Sequence, residues 1–292
     1  MSYEIRILEK SEWPELLNEI PDPPAKLRCA GNLPPKENKL LTIVGSREMT
    51  PYGKEVIAMI VGWLRGQPVS IVSGLAFGVD YTAHRCALKE GLHAICIPGS
   101  GLSQRVMYPR TNQMLAYEII ENGGLLLSEF DDEFRATPWS FLQRNRIIAG
   151  ISHVTLIIEA KERSGALATA RLALNYNRDV AVVPGNIFSP QSQGVNKLLR
   201  DGAHAILEKQ DILNLLGLKE KEIINTKGQQ TLFGNLSQEE KEILDILQDG
   251  ALSTDLIIAQ SSMSASTVLA IISSLSLKGL VRESMGEIAI NN

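Results

Sequence analysis

The stretch Leu40-Leu-Thr-Ile-Val-Gly-Ser-Arg-Glu-Met-Thr-Pro51 sets the architecture. Its first residues are apolar or β-branched without a break, as in a strand buried on both faces; a strand with one wet face would alternate. The run stops at Gly45-Ser-Arg47. Thr50 then stands as N-cap ahead of Pro51, the first residue of a helix reaching Leu64. The same cycle recurs along the chain. Further apolar runs are Val69-Ser-Ile-Val72, His93-Ala-Ile-Cys-Ile97, Gly124-Leu-Leu-Leu127, Val154-Thr-Leu-Ile-Ile158, Asp179-Val-Ala-Val-Val183 and Ala203-His-Ala-Ile-Leu207. Strands alternating with helices predict an α/β fold, a doubly wound parallel sheet over 40–216.

Outside this block the pattern changes. Residues 1–39 carry Pro21, Pro23, Pro24 and Gly31-Asn-Leu-Pro-Pro35, which predict a short helical lead-in (Ser11–Glu19) and an extended arm packing on the main domain. Residues 217–236 are polar and read as a linker. Ser237-Gln-Glu-Glu240 is a capping box that opens a helix through Leu247. Helical patterns at 253–260 and 264–277 follow. Two strand candidates, Leu280-Val-Arg282 and Glu287-Ile-Ala-Ile290, then flank Met285-Gly286. Three helices and a hairpin predict a small C-terminal winged-helix domain over 237–292.

Composition excludes several classes. The chain has 292 residues, with 44% hydrophobic and 21% charged, an ordinary globular balance. No apolar stretch approaches membrane length and the N-terminus has no signal-peptide pattern, so the expected location is the cytoplasm, with no membrane partner. The three cysteines, Cys29, Cys86 and Cys96, form no CxxC pair and predict neither a disulfide framework nor a metal site. The net charge of −4 is unevenly spread. Residues 40–209 hold 17 basic and 15 acidic side chains, whereas 237–292 hold 3 and 8. A phosphate-binding surface must therefore be a local patch in the middle of the chain.

Ligands of open parallel sheets bind beyond the carboxyl ends of the strands. Those ends read Gly45-Ser-Arg47, Ser73-Gly74, Pro98-Gly-Ser-Gly101, Ser128-Glu129, Glu159-Ala160 followed by Ser164-Gly165, and Pro184-Gly185. Each alone is ordinary turn chemistry. Their gathering on one rim is the signal. Neither G-x-G-x-x-G nor G-x-x-x-x-G-K-[ST] is present, which argues against a dinucleotide enzyme or a P-loop ATPase and predicts no cofactor. The histidines His84, His93, His153 and His204 have no ligand or triad spacing, and no catalytic constellation emerges.

Trp139-Ser-Phe-Leu-Gln-Arg-Asn-Arg-Ile-Ile-Ala-Gly150 places two arginines, an asparagine and two aromatics at the head of an apolar helix. Guanidiniums fork onto phosphates and aromatic faces accept unpaired bases, a mixture suited to single-stranded nucleic acid. Phe141, Arg144, Asn145 and Ile148 share one helical face, while Arg146 points elsewhere. One arginine is thus placed to meet ligand and the other to pair internally, with Glu129 or Glu159 as the nearby carboxylates. Further candidate donors are Gly74, Arg110, Asn112, Lys161 and Asn196-Lys197.

Together these strings resemble the DNA-processing protein family DprA, also called Smf. The resemblance rests on Val44-Gly-Ser-Arg47, Ser73-Gly-Leu-Ala-Phe-Gly-Val-Asp80, Pro98-Gly-Ser-Gly101 with Tyr108-Pro-Arg-Thr-Asn112, and Ser128-Glu129. It continues through Phe141–Gly150, Glu159-Ala160, Ser164-Gly-Ala-Leu-Ala-Thr-Ala170, Pro184-Gly185, Gly194-Val-Asn-Lys-Leu-Leu199 and Gly202-Ala203. It implies an extended Rossmann-like domain that binds single-stranded DNA without catalysis. It also implies a homodimer through that domain and loading of RecA recombinase onto incoming DNA during natural transformation. By motif it carries DNA binding onto Gly45, Ser46, Arg47, Phe141, Arg144, Asn145 and Arg146, and also onto Lys161, Ser164 and Gly165. The chain departs from the pattern at Ser103, where the family often has Asp, and in having only the Pro-rich arm where longer members carry a helical module.

Two other readings compete. A phosphoribohydrolase-like enzyme or sensor would act on a nucleotide derivative, but Ser164-Gly-Ala-Leu-Ala-Thr169 lacks the acidic residue such loops carry. An inert scaffold ranks behind both. In the winged helix, Ser264–Leu277 offers no Arg, Lys, Asn or Gln with which to read bases. That predicts a regulatory or protein-contact module, its acidity able to shield the basic pocket in cis.

Overall fold

The computed structural model describes residues 3–219, 237–248, 250–278, 280–284 and 287–290. The expected linker over 217–236 lies almost wholly outside these, as does Met285-Gly286. The chain divides into two compact units, 1–221 and 222–292.

The first unit is built on a nine-stranded sheet. Its strands are β1 (Arg6–Ile7), β2 (Arg28–Gly31), β3 (Lys39–Val44), β4 (Val69–Ser73), β5 (His93–Cys96), β6 (Leu125–Ser128), β7 (Val154–Ile157), β8 (Asp179–Val182) and β9 (His204–Ala205). They lie in the order β1-β2-β6-β5-β4-β3-β7-β8-β9. From β6 to β9 every pairing is parallel, with Thr42 opposite Val72 on one side and Val44 opposite Ile157 on the other. Each expected strand is present, and the doubly wound sheet is as predicted. The order runs outward from β3 through β4, β5 and β6, then reverses to β7, so the topological switch point lies between β3 and β7.

Helices cover both faces. They are α1 (Pro51–Trp63), α2 (Val79–Lys89), α3 (Gln113–Glu121), α4 (Pro138–Ile151), α5 (Gly165–Asn175), α6 (Gln193–Arg200) and α7 (Lys209–Leu215). Leu41, Ile43, Ile71 and Leu126 pack into one core with α1, α2 and α3. Leu40, Val44, Ile95 and Leu127 point the other way, into a second core with α4 and α5. The unbroken apolar runs follow from this two-sided burial. Thr50 caps α1, accepting from the Gly53 N–H at 3.3 Å.

The N-terminal arm does more than pack on the domain. β2 pairs antiparallel with β6 and β1 with β2, so the arm extends the sheet at its edge. The lead-in is two 3-10 turns, Lys10–Glu12 and Glu15–Glu19, rather than one helix. Pro14 explains the break: it disfavours helical backbone in the residue before it, and Trp13 is extended. Trp13, Leu17 and Ile20 still bury themselves in the second core.

The second unit contains α8 (Gln238–Ile246), β10 (Leu252–Ser253), α9 (Thr254–Gln260), α10 (Ala265–Leu277), β11 (Val281–Ser284) and β12 (Glu287–Ile290). It is a winged-helix domain. The capping box forms as read, with Ser237 Oγ accepting from the Glu240 N–H and Glu240 accepting from the Ser237 N–H, both at 3.1 Å. β10 was not expected; two residues are too few to show a period, yet they pair with β12. Lys278 donates to both carboxylate oxygens of Glu240, at 2.7 and 2.8 Å, and holds that carboxyl below its usual range. Among the described residues no single helix is long and apolar enough to cross a membrane.

Candidate nucleic-acid interface

A pocket of about 590 Å³ opens at the switch point. Its walls come from the loop after β3 (Gly45, Ser46, Arg47, Glu48), the loop from β7 into α5 (Lys161, Arg163, Ser164, Gly165) and one side of α4 (Pro138, Phe141, Leu142, Arg144, Asn145, Ile148), with Ala76 and Asp80 contributed from the start of α2 and the loop before it. The face Phe141, Arg144, Asn145, Ile148 read from sequence therefore enters the pocket as a unit.

The cations at the mouth come from the two loops. Arg47 is exposed and has no ion-pair partner among the described residues. Its guanidinium lies 5.3 Å from the centroid of the Phe141 ring, a cation–π contact that fixes the side chain without neutralising it. Arg163 is likewise exposed and unpaired among the described residues, and sequence reasoning missed it. The available signal was its position, directly before the N-cap Ser164 and behind a Gly-rich rim. Lys161 also lines the pocket, with Nζ 2.5 Å from Glu48 Oε2 in an exposed pair that a phosphate could displace.

Backbone donors complete the wall. Ser164 caps α5 and accepts from the Ala166 N–H at 3.2 Å. That leaves the Gly165 N–H at the positive end of the helix without a partner among the described residues. Ser46 is committed: its hydroxyl donates to Gln191 Oε1 and accepts from the Glu48 N–H, both at 3.1 Å.

Arg144 forms the floor rather than the mouth. It is buried, and Nη1 donates to the carbonyls of Gly74, at 2.8 Å, and Ile97, while Nε donates to Asn145 Oδ1 at 3.2 Å. Burial pushes its guanidinium below the usual range, partly offset by Asp80; burial likewise raises the Asp80 carboxyl, partly offset by Arg144. Arg144 is thus a structural cation and not a free phosphate clamp. Asn145 shares its carbonyl with Arg144, which turns its amide N–H groups into the donors open to a ligand.

Five residues expected at the site lie outside the pocket lining. Gly74 is a glycine because Arg144 needs its space: a Cβ there would come within 2.2 Å of Nη1. Asn112 is buried and donates to the Leu75 carbonyl at 2.9 Å, fixing the loop after β4. Arg110 is exposed on the 3-10 turn ahead of α3, and Lys197 faces solvent on α6, where Asn196 clasps the Gly185 backbone. Arg146 is paired with Glu129, and Nη1 donates to the Asp22 carbonyl at 2.6 Å. That resolves the choice between Glu129 and Glu159. Glu159 instead accepts from Thr50, through its N–H at 2.8 Å and its hydroxyl at 2.5 Å, anchoring the loop that carries Arg47.

The chain matches known proteins along both units. The family model for DNA recombination-mediator protein A covers residues 4–217, and that for the DprA winged helix domain covers 234–287. Protein Smf of Escherichia coli is 38% identical over 204 residues, 70% of this chain and 54% of that protein. The chain therefore aligns with about half the length of that relative. DNA processing protein DprA of Bacillus subtilis is 36% identical over 72% of this chain and 70% of its own length. The structure of DprA from Streptococcus pneumoniae superposes with a TM-score of 0.67 at 35% identity, covering 73% of this chain and 74% of that one. DNA processing protein A of Helicobacter pylori, whose structure concerns its single-stranded DNA binding mode, gives 0.66 at 34% identity, covering 73% and 96%. With a family model spanning most of its length and relatives of this similarity, the chain belongs to the DprA/Smf family.

Proposed function

We propose that the switch-point pocket binds single-stranded DNA through its phosphates, with little base preference. One observation carries this reading: two exposed guanidiniums, Arg47 and Arg163, stand unpaired among the described residues at a pocket that also presents Phe141 and the free N-terminal N–H of α5. Phosphates meet the cations, and a base meets the aromatic ring. The single-stranded DNA binding mode of the similar H. pylori protein supports it.

The recombination-mediator family supports the wider role. In that role the chain is a non-enzymatic cytoplasmic homodimer that protects incoming single strands and hands them to RecA during natural transformation. The two carboxylates lining the pocket support binding over hydrolysis of a nucleotide derivative: Asp80 is enclosed beside Arg144, and Glu48 is paired with Lys161. An electrophoretic shift with a single-stranded oligonucleotide and its duplex tests the core of the proposal. Preferential retardation of the single strand is expected; equal or duplex-favouring binding would overturn it. Release of free base from nucleoside monophosphates would favour the enzyme.

A further inference from the structure

A polynucleotide that enters a pocket of about 590 Å³ must leave it again, so what flanks the lip matters. Pro138, Phe141 and Leu142 line the pocket, and Trp139 stands beside them on the first turn of α4, outside the lining. Trp139 is 53% exposed, and Leu142, on the same helical face, is 59% exposed. A large exposed aromatic beside an anion site calls for an occupant.

The indole is held in a defined orientation. Phe130 and Phe134 stack with centroids 4.6 Å apart and planes 16° from parallel. Trp139 lies 5.8 Å from the first and 5.7 Å from the second, at 79° and 66°. Equal distances to two stacked rings put the indole beside the stack, meeting both ring edges. The steep interplanar angles make both contacts edge-to-face, which fixes the plane of the indole against the stack. About half of the residue stays exposed outside these contacts.

The support is rigid. Phe130 is buried, and the Phe134 carbonyl accepts from the Gly101 N–H at 2.9 Å. Arg28 engages both Asp131 and Asp132, pinning the loop between the two phenylalanines. With Glu133 and Arg135 the loop carries no cationic surplus, so it offers a ring and not a phosphate contact.

We infer that Trp139 is a second stacking platform, on which a base rests as the strand leaves the pocket. This rests on the pocket being the single-strand site. The step from Phe141 inside to Trp139 at the lip gives the track a length greater than the pocket, with sequence-tolerant contacts at each end.

The test uses the full chain with a long oligo(dT) and a short one that fills only the pocket. Trp13 is buried and Trp63 half-buried, so quenching of tryptophan fluorescence by the long oligonucleotide, lost in Trp139→Phe, reports on this residue. Trp139→Ala is expected to weaken the long oligonucleotide roughly tenfold and the short one less than about twofold, with Trp139→Phe restoring most of the loss. Unchanged long-oligonucleotide affinity in Trp139→Ala, or an unquenched wild type, would overturn the platform and assign the exposed indole to a protein contact. Arg47→Ala separates the two readings: if it too leaves binding unchanged, the pocket assignment fails; if it alone weakens binding, only the platform does.

Discussion

Two sets of arginines lie along the carboxyl ends of the strands and have opposite fates. Arg144 and Arg146, on α4, are enclosed and bonded, the one to carbonyls beside Asp80 and the other to Glu129 and the arm. Arg47 and Arg163, on loops, stay exposed and unpaired among the described residues. Helix positions are set by packing, so a guanidinium there is drawn into the protein's own acceptors; loop positions leave it to solvent and to ligand. The difference separates what builds the site from what grips.

The largest expected effect tests the first half. Arg144→Leu leaves the Asp80 carboxyl enclosed without its cation and should cost about 3–5 kcal/mol of stability, seen as a loss of soluble protein or a large fall in melting temperature. Arg146→Ala releases the arm from α4 and should cost roughly 2 kcal/mol, less because Gln143 still holds Glu129 at 3.0 Å. A DNA-binding defect in Arg146→Ala without any loss of stability would break the comparison.

A pH series sharpens it further. His84 is enclosed near Arg144, and burial holds its imidazole well below the ordinary value, down to about 3. The unfolded state then binds more protons than the native state between that value and about 6.5. Stability should therefore fall on acidification through this window, by about 1.4 kcal/mol per pH unit for this group. His84→Leu should flatten the slope in chemical-denaturation series; an unchanged slope would remove the histidine from the explanation.

The exposed pair behaves differently. Arg47→Ala or Arg163→Ala should weaken oligo(dT) binding by roughly tenfold at low salt, while shifting stability by no more than about 0.5 kcal/mol, as for surface residues. The smallest effect concerns the winged-helix domain, whose α10 bears no basic residue and whose Lys278 is committed to Glu240. Deleting 225–292 should leave oligo(dT) affinity unchanged or slightly raised; a large loss would give that domain a DNA contact.

The sequence made the sheet readable because strands covered on both faces are apolar or β-branched throughout, as in Leu40–Val44, where the one polar side chain, Thr42, is buried with its hydroxyl bonded to Ile148 and Ser152. The edge strands Arg6–Ile7 and Arg28–Gly31 were not readable, since they are short, partly exposed and join the sheet only through β6. At the site, the shared face of Phe141, Arg144, Asn145 and Ile148 was legible from helical spacing. Depth was not: spacing cannot distinguish an arginine at the mouth from one in the floor, because that depends on carbonyls contributed by Gly74 and Ile97 from distant segments. Arg163 was hidden for the complementary reason, an ordinary charged residue whose loop gains meaning only beside β3.

The salt dependence of oligo(dT) binding is the most direct test of the switch-point site. For single strands each phosphate contact contributes about 0.7 to the slope of log K against log salt. The double variant Arg47→Ala/Arg163→Ala should lower that slope by about 1.4 relative to the wild type, while Arg146→Ala keeps it. A double variant with the wild-type slope would contradict a cationic pocket between β3 and β7 as the place where the strand is held.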